Sequence, residues 1–505
     1  MKTSALPESP VRPRKKSLQQ LPELVLSTRE TSYRISREVS AGRLKKIAPR
    51  LYTTRVNEPP EKVIRRNLWD VVGLLFPGAV ISQRTALELK PMPDGSVFIT
   101  GRYNRTLKLP GVTVRTVTGP GPMEGDIPFG EKLWIASPAR AYLENLKPTR
   151  RRNGAARALP KAEIEDRLER MLRVSGEKPL NNLRDHAKRV APALDLTREL
   201  AKLQDLIGKL LGTRTGSLAG PAARARLAGL PYDADRLPLF DALVSELRSC
   251  PVVDRPRVAV EGRAFDNEAF FDAYFSNYIE GTEFEVDEAV GIVFENRIPE
   301  QRPKDAHDIL STYRLLSDLQ EMSHSATKEV DDLEGFLELL RRRHHTMLAD
   351  RPEAGPGTFK TKPNRAGSTV FVAPELVRGT LHKGLERFRA LETPIARAAF
   401  MMFLVSEVHP FADGNGRIAR VIMNAELIAG GQQRIIIPTV YRDDYLGALR
   451  ALSRTGRSQV LPEMLDQAQA FASRIDFSDL AGARRALEEA QAFREPSEGQ
   501  LRIPE

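Results

Sequence analysis

The sequence predicts a mainly α-helical protein of two or three domains, with a small α+β region near the N-terminus and one short hairpin later in the chain. Three observations predict this class. At ~100 to 200 residues per domain, 505 residues exceed what one core holds. Apolar residues recur at helical spacing through most of residues 160 to 475. Between residues 90 and 135 the spacing switches to alternation, as in "GSVFITGRYNRTLKLPGVTVRTV", with Gly and Pro punctuating short strands.

Taken in order, residues 1 to 30 read as a disordered basic tail, since Pro7, Pro10, Pro13 and Pro22 break any periodic face. Residues 31 to 146 form an α+β regulatory domain. Its first part, "ETSYRISREVSAGRLKKIAPRLYTT", is a helical pattern ending near Gly42 and then a basic hairpin. "RRNLWDVVGLLFPGAVISQRTALEL" continues as two helices around Pro77-Gly78, and the small sheet follows. Residues 147 to 254 read as a helical linker domain, entered through the basic run "KPTRRRNGAARALPK". A third domain spans residues 255 to 475, and residues 476 to 505 form a C-terminal helix and tail.

Composition excludes several classes. A chain 41% hydrophobic and 28% charged is an ordinary globular one. Its single cysteine, Cys250, allows no internal disulfide, which points to a cytoplasmic location. The N-terminal apolar residues are too interrupted for a secretion signal, and runs such as "AAFMMFLV" at 398 to 405 are too short to cross a bilayer, so no membrane partner is expected. Net charge is +11, and residues 1 to 66 alone hold 16 Lys or Arg against six Glu. Such a segment is either a solubilising surface or a contact for a polyanion such as DNA, with Arg34, Arg37, Lys45, Lys46 and Arg50 as the candidate contacts.

The stretch "VSEVHPFADGNGRIARVIMNAEL" (405 to 427) carries the densest chemistry. Helical spacing on both sides places it on a loop between two buried helices. Amides of Gly414, Asn415 and Gly416 then sit at a helix N-terminus, where backbone N-H groups and the helix dipole hold anions. Arg417 and Arg420, three apart, share a face and can clamp outer phosphates. Asp413 beside them suits Mg2+, which takes one or two carboxylates plus phosphate oxygens. His409 is the nearby group able to accept a proton near neutral pH, and Pro410 and Phe411 anchor the loop. Base, metal ligand, anion nest and charge clamp together suit in-line attack on phosphorus.

These residues match, position for position, the pattern His-x-Phe-x-Asp/Glu-Gly-Asn-Gly-Arg-x-x-Arg, and residues 255 to 475 resemble the Fic family. The resemblance implies an all-helical core with a β-hairpin flap and a protein adenylyltransferase activity moving AMP from ATP to a Ser, Thr or Tyr hydroxyl. It implies that His409 deprotonates the hydroxyl, Asp413 holds Mg2+, Asn415 with the Gly414 and Gly416 amides steadies the α-phosphate, and Arg417 and Arg420 grip the β- and γ-phosphates. The segment "PGTFKTKPNRAGSTVFVAPE" (356 to 375) looks like the flap, which holds the target segment by strand addition. "IPTVYRDDYLGALRALS" resembles the helix lining the base pocket, with Tyr445, Leu446 and Leu449 facing the nucleotide. Some members carry Asn where Ser453 stands, which leaves the nucleotide preference open.

A second stretch, "FFDAYFSNYIEGTEFEVDE", places Ser276 and Glu280 four apart on one helix face with Gly281 ready to end the helix. It resembles the family's Ser/Thr-x-x-x-Glu-Gly/Asn inhibitory motif, which implies that Glu280 pairs with Arg420 and occupies the place of the γ-phosphate. The same site in the family also removes AMP, a direction left open here. At the N-terminus, a helix followed by a basic hairpin resembles the end of a winged helix-turn-helix, and residues 30 to 145 resemble antitoxin-type regulators of the AbiEi kind. The partners so implied are a protein substrate, the protein itself as substrate, DNA at the N-terminal region and a second copy of the chain. A rival reading makes the chain a DNA-binding regulator or toxin-antitoxin fusion, its Fic core sensing nucleotide or using another phosphate-containing donor. The pair His344-His345 reads as surface or pocket wall, because adjacent helical residues point apart.

Overall fold

Glycine punctuates the N-terminal region. The helix Ser32–Ser40 stops before Gly42, whose φ of +70° is strained for other residues. The chain then makes the hairpin Lys45–Ala48 and Leu51–Thr53, and Leu24–Leu26 pairs antiparallel with Leu51–Thr53 as a third strand. The computed structural model describes residues 21–148, 156–251, 253–258, 261–329 and 331–503. Part of the expected tail is therefore sheet, and residues 1 to 20 of it lie outside the described residues. Residues 21 to 31, ahead of the helix Ser32–Ser40, hold the strand Leu24–Leu26.

Leu68–Leu75 and Gln83–Glu88 are the two expected helices, separated by Pro77 and Gly78, with a short added strand at Val80–Ile81. That strand joins a six-stranded mixed sheet in the order Arg105–Leu109, Val112–Thr118, Ser96–Gly101, Val80–Ile81, Leu133–Ile135, Ile127–Phe129. Val97, Ile99 and Val114 are buried and pack with Val63 and Ile64 of the helix Pro60–Arg66 and Val71 of Leu68–Leu75. The helices Lys161–Ser175, Glu177–Leu194 and Thr197–Leu210 share a core with Ala139 and Leu143 of the helix Pro138–Leu146.

The helices on either side of the basic stretch at 147 to 161 share this core. The chain divides into two compact units, Met1–Leu227 and Ala228–Glu505, and residues 149 to 155 of the expected boundary lie outside the described residues. The helix Leu237–Ser249 goes with the second unit, where Phe240 packs edge-on against Phe400 and Phe403 at 6.0 and 6.2 Å. Burying each such ring contributes about 1.5–3 kcal/mol.

At the centre of the second unit lie Pro394–Val408 and Asn415–Ala429, whose residues from Ala398 to Val405 and from Arg417 to Ile428 are buried throughout. Around them stand Gly262–Ile279, Pro303–Ser317, Leu333–Met347, Val377–Phe388, Arg442–Thr455 and Val460–Ala472. The C-terminal helix Leu480–Glu489 belongs to the same body: Phe493 lies 5.1 Å from Phe275 and 5.7 Å from Tyr274, ring to ring. Residues 476 to 503 thus cover the helix Gly262–Ile279 and are not a separate tail. The expected flap forms, with Arg365–Ala366 pairing antiparallel to Thr369–Val370 around Gly367. No helix among the described residues is long and apolar enough to cross a membrane.

Candidate functional site

The loop between the two central helices begins at His409, which ends its helix in the left-handed region with φ of +53°. Phe411 turns inward, fully buried, and stacks on the His344 ring at 3.7 Å. The Asn415 side chain closes the loop on itself: its Oδ1 accepts from the Phe411 amide at 2.8 Å and its Nδ2 donates to the Phe411 carbonyl at 2.9 Å. Gly414 caps the next helix at φ +72°, and a Cβ there would stand 2.9 Å from Met347 Cε and 3.1 Å from Leu348 Cδ1. Gly414→Ala is therefore expected to cost about 1–2 kcal/mol from backbone conformation alone. Thermal unfolding of the full chain checks this through a lowered midpoint.

His409 and Arg420 line one cavity of about 420 Å³ together with Glu280, Gly416, Tyr445 and Leu449. The His409 ring stacks on Phe371, just past the hairpin, at 3.7 Å, and its Nδ1 donates to the Ser406 carbonyl at 3.2 Å. With that proton on Nδ1, Nε2 carries the lone pair. Burial pushes the imidazole down to about 4, the neighbouring Lys360 ammonium adding to the effect. His409 is thus neutral at physiological pH and able to accept a proton.

Arg420 is almost fully buried and held by the helix Gly262–Ile279. Its Nε donates to Ser276 Oγ at 2.9 Å, and its Nη2 donates to the Ser276 carbonyl and to Glu280 Oε1, both at 2.8 Å. Gly281 follows at φ +90° and lets the chain leave the helix. A polar stripe at spacing four fixes this geometry. Glu268 approaches Arg434 at 3.3 Å, Asp272 accepts from Asn424 at 2.8 Å, and Ser276 and Glu280 take Arg420. Gly416 has no side chain because a Cβ would lie 2.1 Å from Glu280 Oε1.

Residues 333–427 match the family model described as Fic/DOC family. This stretch is similar to a Fic domain. Protein adenylyltransferase fic-1 of Caenorhabditis briggsae is 32% identical over 110 residues, which is 21% of this chain and 22% of that protein. Protein adenylyltransferase Fic of Nematostella vectensis is 28% identical over 226 residues, 42% of this chain and 49% of that protein. The chain thus spans between about a fifth and a half of the length of these relatives. Among solved structures, a Fic domain containing signaling protein from Bacteroides thetaiotaomicron aligns over 51% of this chain and 99% of its own, at 20% identity and a TM-score of 0.34.

Within the matched stretch, two motif residues sit differently from expectation. Arg417 does not line the cavity beside Arg420: its guanidinium pairs with Asp308 at 2.8 Å and reaches Asn277 at 3.3 Å. A buried carboxylate attracts it more strongly than open solvent does. Asn415 spends its side chain on the loop backbone rather than on the cavity. Asp413 is half exposed, with Oδ1 accepting from the Gly414 amide at 2.7 Å and Oδ2 3.3 Å from Arg351. One solvent-facing carboxylate fits a hard divalent ion that takes its other ligands from phosphates and water. No group of three or more ligating side chains stands ready among the described residues.

Sequence reasoning missed His344. It is fully buried, its Nδ1 accepts from the Gly357 amide at 2.9 Å, and its Nε2 therefore donates to the Asp413 carbonyl at 3.0 Å. Burial lowers this imidazole to about 4 as well, so it stays a neutral brace under the loop. The apolar spacing Leu337, Leu340, Met347 on the same helix is the signal that places position 344 inside. Ser453 donates to Glu407, another buried group the sequence did not single out. In the N-terminal unit, Arg34 and Arg37 lie exposed on the helix Ser32–Ser40, Lys46 and Arg50 lie exposed on the hairpin, and Lys45 is half-buried.

Proposed function

We propose that this chain is a protein adenylyltransferase, taking ATP and a protein hydroxyl as substrates, and that Glu280 holds it in a restrained state. The observation that carries this reading is the shared cavity: a neutral imidazole and a buried guanidinium face one space, and a carboxylate from a neighbouring helix already occupies the guanidinium. Similarity to relatives named protein adenylyltransferase supports it.

In this reading the exposed edge of the hairpin Arg365–Ala366 and Thr369–Val370 aligns an extended segment of the target. His409 Nε2 takes the proton from the target hydroxyl, whose oxygen attacks the α-phosphorus. The new P–O bond forms as the bond to the β-phosphate oxygen breaks, and pyrophosphate leaves. Amides at the start of the helix Asn415–Ala429 steady the phosphates, and Arg420 grips the outer ones once Glu280 has moved. Asp413 would hold Mg2+, which when bound offsets charge on the leaving pyrophosphate.

Two measurements test the reading. Label on the α-phosphate of ATP should appear on protein, whereas label on the γ-phosphate should leave in pyrophosphate. Retention of γ-label would assign another chemistry. Protonation removes the lone pair His409 needs, so activity should fall only as pH drops through about 4, not near the ordinary value of 6.5. The acid limb of kcat/KM for the Glu280→Gly form, which lacks a carboxylate that raises this imidazole, should lie at or below that pH.

A further inference from the structure

We propose that Glu407 selects the nucleobase, accepting a hydrogen bond from an exocyclic amino group such as that of a 6-aminopurine. The proposal rests on the nucleotide reading of the cavity. Glu407 is 2% exposed yet lines the same cavity as Arg420 and Glu280. Ser453, which also lines it, lies eight residues beyond Tyr445 on the helix Arg442–Thr455, roughly 12 Å along the axis from the Arg420 end. Phosphates held at Arg420 therefore leave the base at the Glu407 and Ser453 end.

That end presents two acceptors, Glu407 and Ser453, beside the Arg450 and Arg454 guanidiniums, of which Arg454 donates to Thr369 Oγ1. One Glu407 oxygen takes Arg236 Nη1 and the other takes the Ser453 hydroxyl proton. Each carboxylate oxygen keeps a second acceptor site, and the serine has spent its only proton. The cavity end thus meets a base with lone pairs on both residues. An N-H donor satisfies them, whereas a base edge of bare acceptors leaves buried oxygens unpaired. Glu407 is also more than a counter-ion for Arg236. The Arg236 guanidinium has a second carboxylate, Asp233, 3.4 Å from its Nε, and its Nη2 donates to the Val370 carbonyl of the hairpin at 2.6 Å. Arg236 is the positioning residue: it aims Glu407 and ties the base end of the cavity to the flap. Leu446 and Leu449 supply the apolar wall for the ring.

Calorimetric titration of the full-length Glu280→Gly protein with ATP and with purine riboside 5′-triphosphate, which lacks the amino group, tests this. ATP should bind at least about tenfold more tightly. Adding Arg236→Met and Glu407→Met together removes the acceptor along with the guanidinium paired to it, and the preference should then fall to near unity. Glu407→Gln, which keeps the shape, should lower the ratio as well and serves if the paired change prevents folding. Equal affinities in Glu280→Gly, or a preference that survives both Glu407 substitutions, overturn the inference while leaving the nucleotide site intact. Failure of both nucleotides to bind overturns the inference together with the nucleotide reading.

Discussion

Replacing Glu280 with Gly is expected to raise AMP transfer by about 10- to 100-fold, because it removes one charge-assisted hydrogen bond, worth about 1.5–3 kcal/mol, from Arg420. The gain should appear in ATP affinity first, since the carboxylate competes for the guanidinium that the outer phosphates need. Ser276 will still hold Arg420 through its hydroxyl and carbonyl, so the guanidinium stays aimed at the cavity after the substitution. Self-modification with α-labelled ATP checks the size of the effect. Equal labelling of both forms would mean that the pair is structural and exerts no restraint.

His409→Ala, made in the Glu280→Gly background, is expected to cut transfer by about 10²- to 10⁴-fold, the usual contribution of a positioned general base. ATP affinity should stay unchanged, because the imidazole is aimed at the acceptor hydroxyl and anchored through Ser406 and Phe371 rather than through phosphate contacts. Loss of ATP binding in this variant would instead make His409 a part of the nucleotide cradle. Calorimetry beside the labelling assay separates the two.

What could be read in the sequence was whatever depends on near neighbours. The loop from His409 to Arg420 carries its glycines, Arg420 and flanking helices within one short stretch, so spacing places these, though not the Arg417 and Asn415 side chains. Ser276, Glu280 and Gly281 were legible for the same reason, as one helix turn and its stop. The hairpin around Gly367 announced itself by its turn residues. What escaped depends on atoms far apart in the chain. His344 braces the loop through backbone groups at 357 and 413, neither of which leaves a mark on the sequence around residue 344. Arg417 turns away from the cavity because Asp308, more than a hundred residues earlier, offers a buried carboxylate. Leu24–Leu26 is a strand of three residues, too short for alternation to register, and only its pairing with Leu51–Thr53 defines it. A basic, turn-rich run such as 147 to 161 resembles a linker in sequence even where the helices on either side share a core, because that sharing depends on distant contacts.

The most direct measurement is a crystal structure of the Glu280→Gly protein with a non-hydrolysable ATP analogue. The account expects the triphosphate along the start of the helix Asn415–Ala429, its outer phosphate on Arg420, and its α-phosphorus open to the side from which His409 Nε2 faces the cavity. An analogue bound elsewhere, or one whose α-phosphorus is shielded from His409 with Arg420 already free, would contradict it.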